Sequence, residues 1–148
     1  NIRYDVIDSV MAVGSEDIFD VLQRAEALDK CKNDPNLVKL VQAFSRAANL
    51  AKYATANIVQ FDLFKETDEK ELYQAYSATQ QQVEKIMHER RYPEMIGTLA
   101  QLSAPIDNFF SSVMVMAEDM SVRNNRLALL KEITGLSAKF ADISKLVG

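Results

Sequence analysis

The sequence predicts an all-α fold, a single helical bundle of about six to seven helices. Three observations carry this. Only 4 Gly and 3 Pro interrupt 148 residues, of which 48% are hydrophobic. The apolar residues recur at three- and four-residue steps rather than alternating. Helix-start chemistry, an Asp, Ser, Thr or Pro ahead of an apolar run, divides the chain repeatedly, and no repeat, low-complexity tract or linker intervenes. A chain of this length can bury about 68–70% of the surface its unfolded form exposes, enough for one core.

Residues 2–13 read as a first helix ending at Gly14. Ser15 caps the second, which carries Glu16 and Asp17 in its first turn and runs to about Lys30. Asn33-Asp34-Pro35 restarts the chain, with Asp34 as N-cap and Pro35 at the first helical position, where its missing N–H costs nothing. The third helix is expected to reach Ala56, with Leu37, Leu40, Val41, Phe44, Ala47, Ala48, Ala51 and Ile58 on one apolar face. Phe61-Asp62-Leu63-Phe64 has no clear period and reads as an apolar plug in a connection. Thr67 caps a long helix over 68–90. Pro93 and Pro105 open helices at roughly 94–102 and 105–116.

The last helix, capped by Asp119, is predicted over about 120–146 with a bend at Gly135. At about 100° per residue, Val122, Leu129, Ile133, Leu136, Phe140, Ile143 and Val147 share one roughly 80° sector. Leu127 and Leu130 form a second apolar edge, so this helix is covered on two sides. Arg126 projects between the edges and Asn125 borders the first; polar groups so near a core need named partners. Asp119, Glu118 or Asp107 is the expected partner of Arg126, and backbone of the same turn that of Asn125. Asp119, Asn125 and Arg126 thus read as a structural clamp on the 113–119 turn. Met114, Met116 and Met120 read as core filler, with an adaptable docking surface as the alternative.

The formal net charge is −4, which counts against a general nucleic-acid binder and against DNA. Its distribution is uneven. Residues 35–60 carry Lys39, Arg46 and Lys52 and no acid, whereas residues 92–119 carry Glu94, Asp107, Glu118 and Asp119 and no base. A polyanion is steered to the first segment and repelled by the second. With Cys31 alone, no internal disulfide can form, and a reducing, cytoplasmic setting is expected. No apolar run approaches the roughly 18 residues of a membrane span, and no signal-peptide pattern opens the chain. A start at Asn1, directly in helical pattern, leads us to expect a domain cut from a larger subunit.

Catalytic and metal constellations are missing from the sequence. His88 sits at a helix end beside Glu89-Arg90-Arg91, Cys31 has no second thiol, and there is no Gly-rich phosphate loop. The third helix offers binding chemistry instead. Lys39, Gln42, Arg46, Asn49 and Tyr53 follow at steps of three, four, three and four, opposite the apolar face. Phosphates take Lys and Arg, base edges take Asn and Gln, and an unstacked base stacks on Tyr or a guanidinium plane. Lys52 and Arg123 add cations for phosphate contact. A solvated polar helix face has the same pattern, and a docking module for another protein is the competing reading.

Three blocks carry a family resemblance: Pro105-Ile106-Asp107-Asn108-Phe109-Phe110, Val113-Met114-Val115-Met116-Ala117-Glu118-Asp119 and Arg123-Asn124-Asn125-Arg126-Leu127-Ala128-Leu129-Leu130. With Phe44-Ser45-Arg46-Ala47-Ala48-Asn49-Leu50, Phe61-Asp62-Leu63-Phe64 and Phe140-Ala141-Asp142-Ile143-Ser144, the likeness runs from roughly residue 40 to the end. The sequence resembles the C-terminal domain of the β subunit of bacterial tetrameric glycyl-tRNA synthetases. A related, weaker pattern occurs in the helical anticodon-binding domain of arginyl-tRNA synthetases. The resemblance implies a tRNA-binding module that engages the anticodon region of glycine tRNA. Its partners would be the rest of the β subunit and an α subunit holding the catalytic site. The whole enzyme would use ATP and Mg, with no cofactor in this domain. Arg46 and Asn49 match a recurring motif of the family, whereas Ser45 stands where another basic residue is usual.

Overall fold

Leu37, Leu40, Val41, Ala43, Phe44 and Ala47 project from one side of the third helix, and all are buried. That helix is the axis of the molecule. The computed structural model describes residues 1–14 and 17–146, and among them every regular element is helical. The elements are α1 (Tyr4–Val13), α2 (Ile18–Lys30), α3 (Pro35–Ala51), α4 (Thr67–Glu89), α5 (Met95–Ala100), α6 (Ser103–Ser112) and α7 (Met120–Gly135). Single 3₁₀ turns lie at Phe61–Leu63, Tyr92–Glu94 and Ile143–Lys145. α3 packs against α5, α6, α7 and the 143–145 turn, while α4 closes the other side of α5, α6 and α7.

The starts follow local chemistry. Asp34 accepts the Asn36 N–H at 2.9 Å ahead of Pro35, and Asp119 accepts the N–H groups of Ser121 and Val122. Asp17 caps α2 through Phe19 and Asp20; the expected Ser15 cap and Glu16 lie outside the described residues. α4 differs from expectation, since Thr67 is its first helical residue and not its cap. There Glu69 reaches back, its Oε1 accepting the N–H groups of Lys65 at 3.1 Å and Glu66 at 3.0 Å. Gly14 ends α1 at a φ of 70°, a left-handed value that suits glycine.

Three elements end earlier than the spacing predicts. α3 stops at Ala51, and Ile58 is exposed rather than on the apolar face. The chain leaves the helix so that the backbone of Gln60 can pair with Asn125 on α7. α6 stops at Ser112, and Val113 is extended. Successive side chains then alternate: Val113 and Val115 are buried, while Met114 (72% exposed) and Met116 (47%) face out. The methionines are therefore not core filler: Met114 and Met116 turn outward where the chain has left the helix, and Met120 is exposed in the first turn of α7. α7 stops at Gly135, where glycine favours a helix by about 1 kcal/mol less than alanine. Phe140, Ala141 and Ile143 still reach the core, but from turns instead of the predicted helix. Val147, the last of that periodic set, lies outside the described residues.

The α1–α2 hairpin joins the bundle through polar ties. Ser9 Oγ donates to the Asp142 carbonyl at 2.7 Å, and the Asp142 N–H donates to the Ser9 carbonyl at 3.0 Å. Arg24, wholly buried, donates to Asp20 at 2.9 Å, the Phe140 carbonyl at 2.7 Å and the Gly14 carbonyl at 3.1 Å. Tyr92 donates its hydroxyl to the same Asp20. A guanidinium this deep is tolerated because its hydrogen bonds replace water.

Two tyrosines report this packing. Burial, then the hydrogen bond to Asp20, pushes Tyr92 up to about 12. Burial and Glu132 also hold Tyr76 above the ordinary tyrosine range. A hydroxyl raised in the folded state contributes stability in full below the unfolded value near about 10 and loses it as pH climbs through the folded value. Urea unfolding should therefore show stability falling between pH about 10 and about 12, and Tyr92→Phe should lose less across that window. An unchanged alkaline loss in Tyr92→Phe would remove Tyr92 from this role.

Candidate nucleic-acid interface

α3 turns its apolar side inward, and Lys39, Gln42, Arg46 and Asn49 are left on the solvent side, all exposed. On a helix advancing about 100° per residue these four share a roughly 80° sector. Lys52 and Tyr53 continue the exposed ridge in the turn after the helix, with the Lys52 ammonium 5.2 Å from the Tyr53 ring centroid. No acid lies between residues 35 and 60, and among the described residues Lys39, Arg46 and Lys52 have no ion pair. Cations without ion pairs, on a segment that carries no acid of its own, are an attractive site for an anion.

Arg46 is held by an aromatic partner from α6. Its guanidinium lies over the Phe110 ring, 4.3 Å from the centroid. Phe110 in turn meets Phe109 edge-on at 5.7 Å, and Phe109 is fully buried. Sequence reasoning missed Phe110 as a site residue. Phe110 points about 100° away from the buried Phe109 and only partly packs against the core, which leaves its ring within reach of α3.

Arg123 stands apart from α3. It is half-buried, its guanidinium against the sulfur of Met120, with no carboxylate partner among the described residues. Arg126 is buried, and its partners differ from those expected. Nη2 meets Glu69 Oε1 of α4 at 2.8 Å, and Nη1 donates to the Met114 carbonyl at 2.6 Å, so Asp107, Glu118 and Asp119 are not its ion-pair partners. Those three side chains sit in water or cap a helix, whereas Glu69 is already inside. Asn125 is also redirected. Its amide accepts the Gln60 N–H at 2.7 Å and donates to the Gln60 carbonyl at 2.9 Å, pinning a distant connection rather than its own turn.

A groove of about 760 Å³ opens between α4 and α7, lined by Tyr76, His88, Lys131, Glu132 and Lys139 among others. No ridge residue borders it. Among the described residues no group of three or more His, Cys, Asp or Glu side chains is placed to hold a metal, and no helix is long and apolar enough to cross a membrane.

Among the described residues the fold is an all-helical bundle that presents cations and side-chain amides on the outer side of α3. The family model of the DALR anticodon binding domain matches residues 16–139, and the chain belongs to that family. It is 41% identical over 146 residues to the glycine–tRNA ligase beta subunit of Desulforamulus reducens, covering 99% of this chain and 21% of that protein. The same-named subunit of Moorella thermoacetica is 40% identical over 146 residues, 98% of this chain and 21% of its own length. That of Clostridioides difficile is 34% identical over 146 residues, 99% and 21%. The chain spans about a fifth of the length of the curated relatives it matches.

Arg126→Ala would strand the buried Glu69 carboxylate and should cost about 3 kcal/mol or more, whereas Arg123→Ala should stay within about 0.5 kcal/mol of the parent. Urea or thermal unfolding of the two variants checks this. Equal stability would contradict the division between an internal tie and a surface cation.

Proposed function

We propose that this chain is the anticodon-recognition module of a glycine–tRNA ligase β subunit, and that the α3 ridge is its RNA contact. The carrying observation is the ridge itself: cations without ion pairs, side-chain amides and an exposed ring along the outer side of a segment with no acid of its own, in a member of an anticodon-binding family. In this reading Lys39, Lys52 and Arg123 meet phosphates, and Gln42, Arg46, Asn49 and Tyr53 meet bases. Glycine anticodons carry cytosine at their second and third positions. Cytosine presents an amino donor beside ring and carbonyl acceptors, and a single Asn or Gln amide can satisfy both kinds. Tyr53 stacking is worth about 1–3 kcal/mol for one base. Asp119, Asn125 and Arg126 serve as the clamp that shapes the body behind the ridge.

The domain would then position tRNA while catalysis, with ATP and Mg, occurs elsewhere in an assembly of the remaining β subunit and the α subunit. That assembly would be cytoplasmic. A docking role, holding the assembly together without reading bases, is the second reading. Tyr4, Ile7, Met11, Ile18, Phe19 and Leu22 favour it, since all six are exposed on α1 and α2.

Titration of a fluorescent RNA hairpin carrying a glycine anticodon loop, at several salt concentrations, separates the two. RNA recognition requires saturable binding that weakens as salt rises, and Lys39→Ala or Lys52→Ala should each reduce the slope against log salt by about 0.7. Absent or salt-insensitive binding by the folded domain would sink the RNA reading in favour of docking.

A further inference from the structure

Arg46 differs from the other ridge cations because its aromatic partner comes from another helix, α6, whereas Lys52 lies over the ring of its own neighbour Tyr53. The Arg46 guanidinium lies over the Phe110 ring at 4.3 Å. Asp107 stands one turn earlier on α6 and is exposed, yet it makes no ion pair with Arg46. Behind the ring the arrangement is anchored, since Phe110 meets Phe109 edge-on and Phe109 is fully buried. Arg46 itself remains exposed. The guanidinium carbon therefore sits over a ring tied to the core while the side chain as a whole stays open to solvent.

A guanidinium is flat, weakly hydrated and stacks on planar groups, which an ammonium does not. Restraining this long side chain in advance lowers the entropy lost when something binds it. Unstacked bases of RNA loops are taken up on such surfaces, whereas a phosphate gains little from a flat face.

We propose that Arg46 and Phe110 form a stacking plate for one splayed nucleobase of the bound loop. Phe110 holds the guanidinium flat and Arg46 presents its open face to the base. The proposal rests on the RNA-binding reading of the α3 ridge. Within it Phe110 is a positioning residue, Arg46 reads a base rather than the backbone, and the phosphates fall to Lys39 and Lys52.

The test titrates the fluorescent glycine-anticodon hairpin, and hairpins with an abasic site at each loop position in turn, against the parent, Arg46→Lys, Phe110→Leu and the double variant. Arg46→Lys keeps the charge and removes the plane. Each single variant should weaken binding by about fivefold or more, with the salt slope unchanged and no further loss in the double variant. One abasic hairpin should bind the parent and Arg46→Lys equally, because it lacks the stacked base. Parent-like binding by Arg46→Lys, or a loss that persists on every abasic hairpin, overturns the plate while leaving RNA binding intact. A parent domain that binds no hairpin overturns the RNA reading and the plate together. Arg46 is on the surface, so its series decides the matter even if Phe110→Leu fails to fold.

Discussion

Inside the bundle, Arg126 of α7 meets Glu69 of α4 at 2.8 Å, with Glu69 wholly removed from water. Taking two charges out of water is expensive, and their attraction repays this only when the remaining donors and acceptors are also matched. Here the matching is spread over three segments. Glu69 Oε1 also accepts the two backbone N–H groups that open α4, and Arg126 also donates to the Met114 carbonyl beyond α6. One pair thereby fixes where α4 begins, how α7 lies against it and where the chain leaves α6. Glu69 Oε2 and Arg126 Nε are buried without partners, so the pair is not tuned for maximal strength. Its value lies in specifying one arrangement.

That arrangement reaches the surface. The segment held by Arg126 follows Phe110 by only a few residues, and the alternation Val113-in, Met114-out anchors the end of α6 in the core. The position of the Phe110 ring under Arg46 is thus set from inside. Asn125, one residue before Arg126, binds both backbone groups of Gln60 and so governs how the chain departs from α3. A motif that looks like a binding signature is mostly framework, and the exposed chemistry lies on the helix that it supports. Arg24 plays a similar part for the α1–α2 hairpin, collecting carbonyls from Gly14 and Phe140.

The helices and the inward faces of α3 and α7 were legible because apolar spacing and caps are local properties. Asp34, Asp119 and Gly14 do in the structure what their chemistry requires. The ridge was equally legible, since the face opposite a buried stripe must meet solvent. What spacing could not supply were partners chosen by tertiary packing. Glu69 has the sequence setting of an ordinary charge in a first helical turn, and nothing near Arg126 in sequence points across the bundle to it. Arg24 had no local sign of burial. The Val-Met-Val-Met run differs from the expected helix because four consecutive apolar residues carry no period of their own. Gly135 ends α7 rather than bending it, while Phe140 and Ile143 keep the helical rhythm from within turns.

The central claim is that the outer side of α3, and not the α1–α2 surface or the groove beside α7, receives an RNA loop. Amide NMR of the isotope-labelled domain titrated with a glycine-anticodon hairpin tests it residue by residue. The account requires shifts or broadening concentrated over residues 39–53 and at Phe110, with α1 and α2 largely unmoved. Perturbations confined to Tyr4–Leu22 or to the Tyr76–Lys139 groove, with α3 silent, would contradict it.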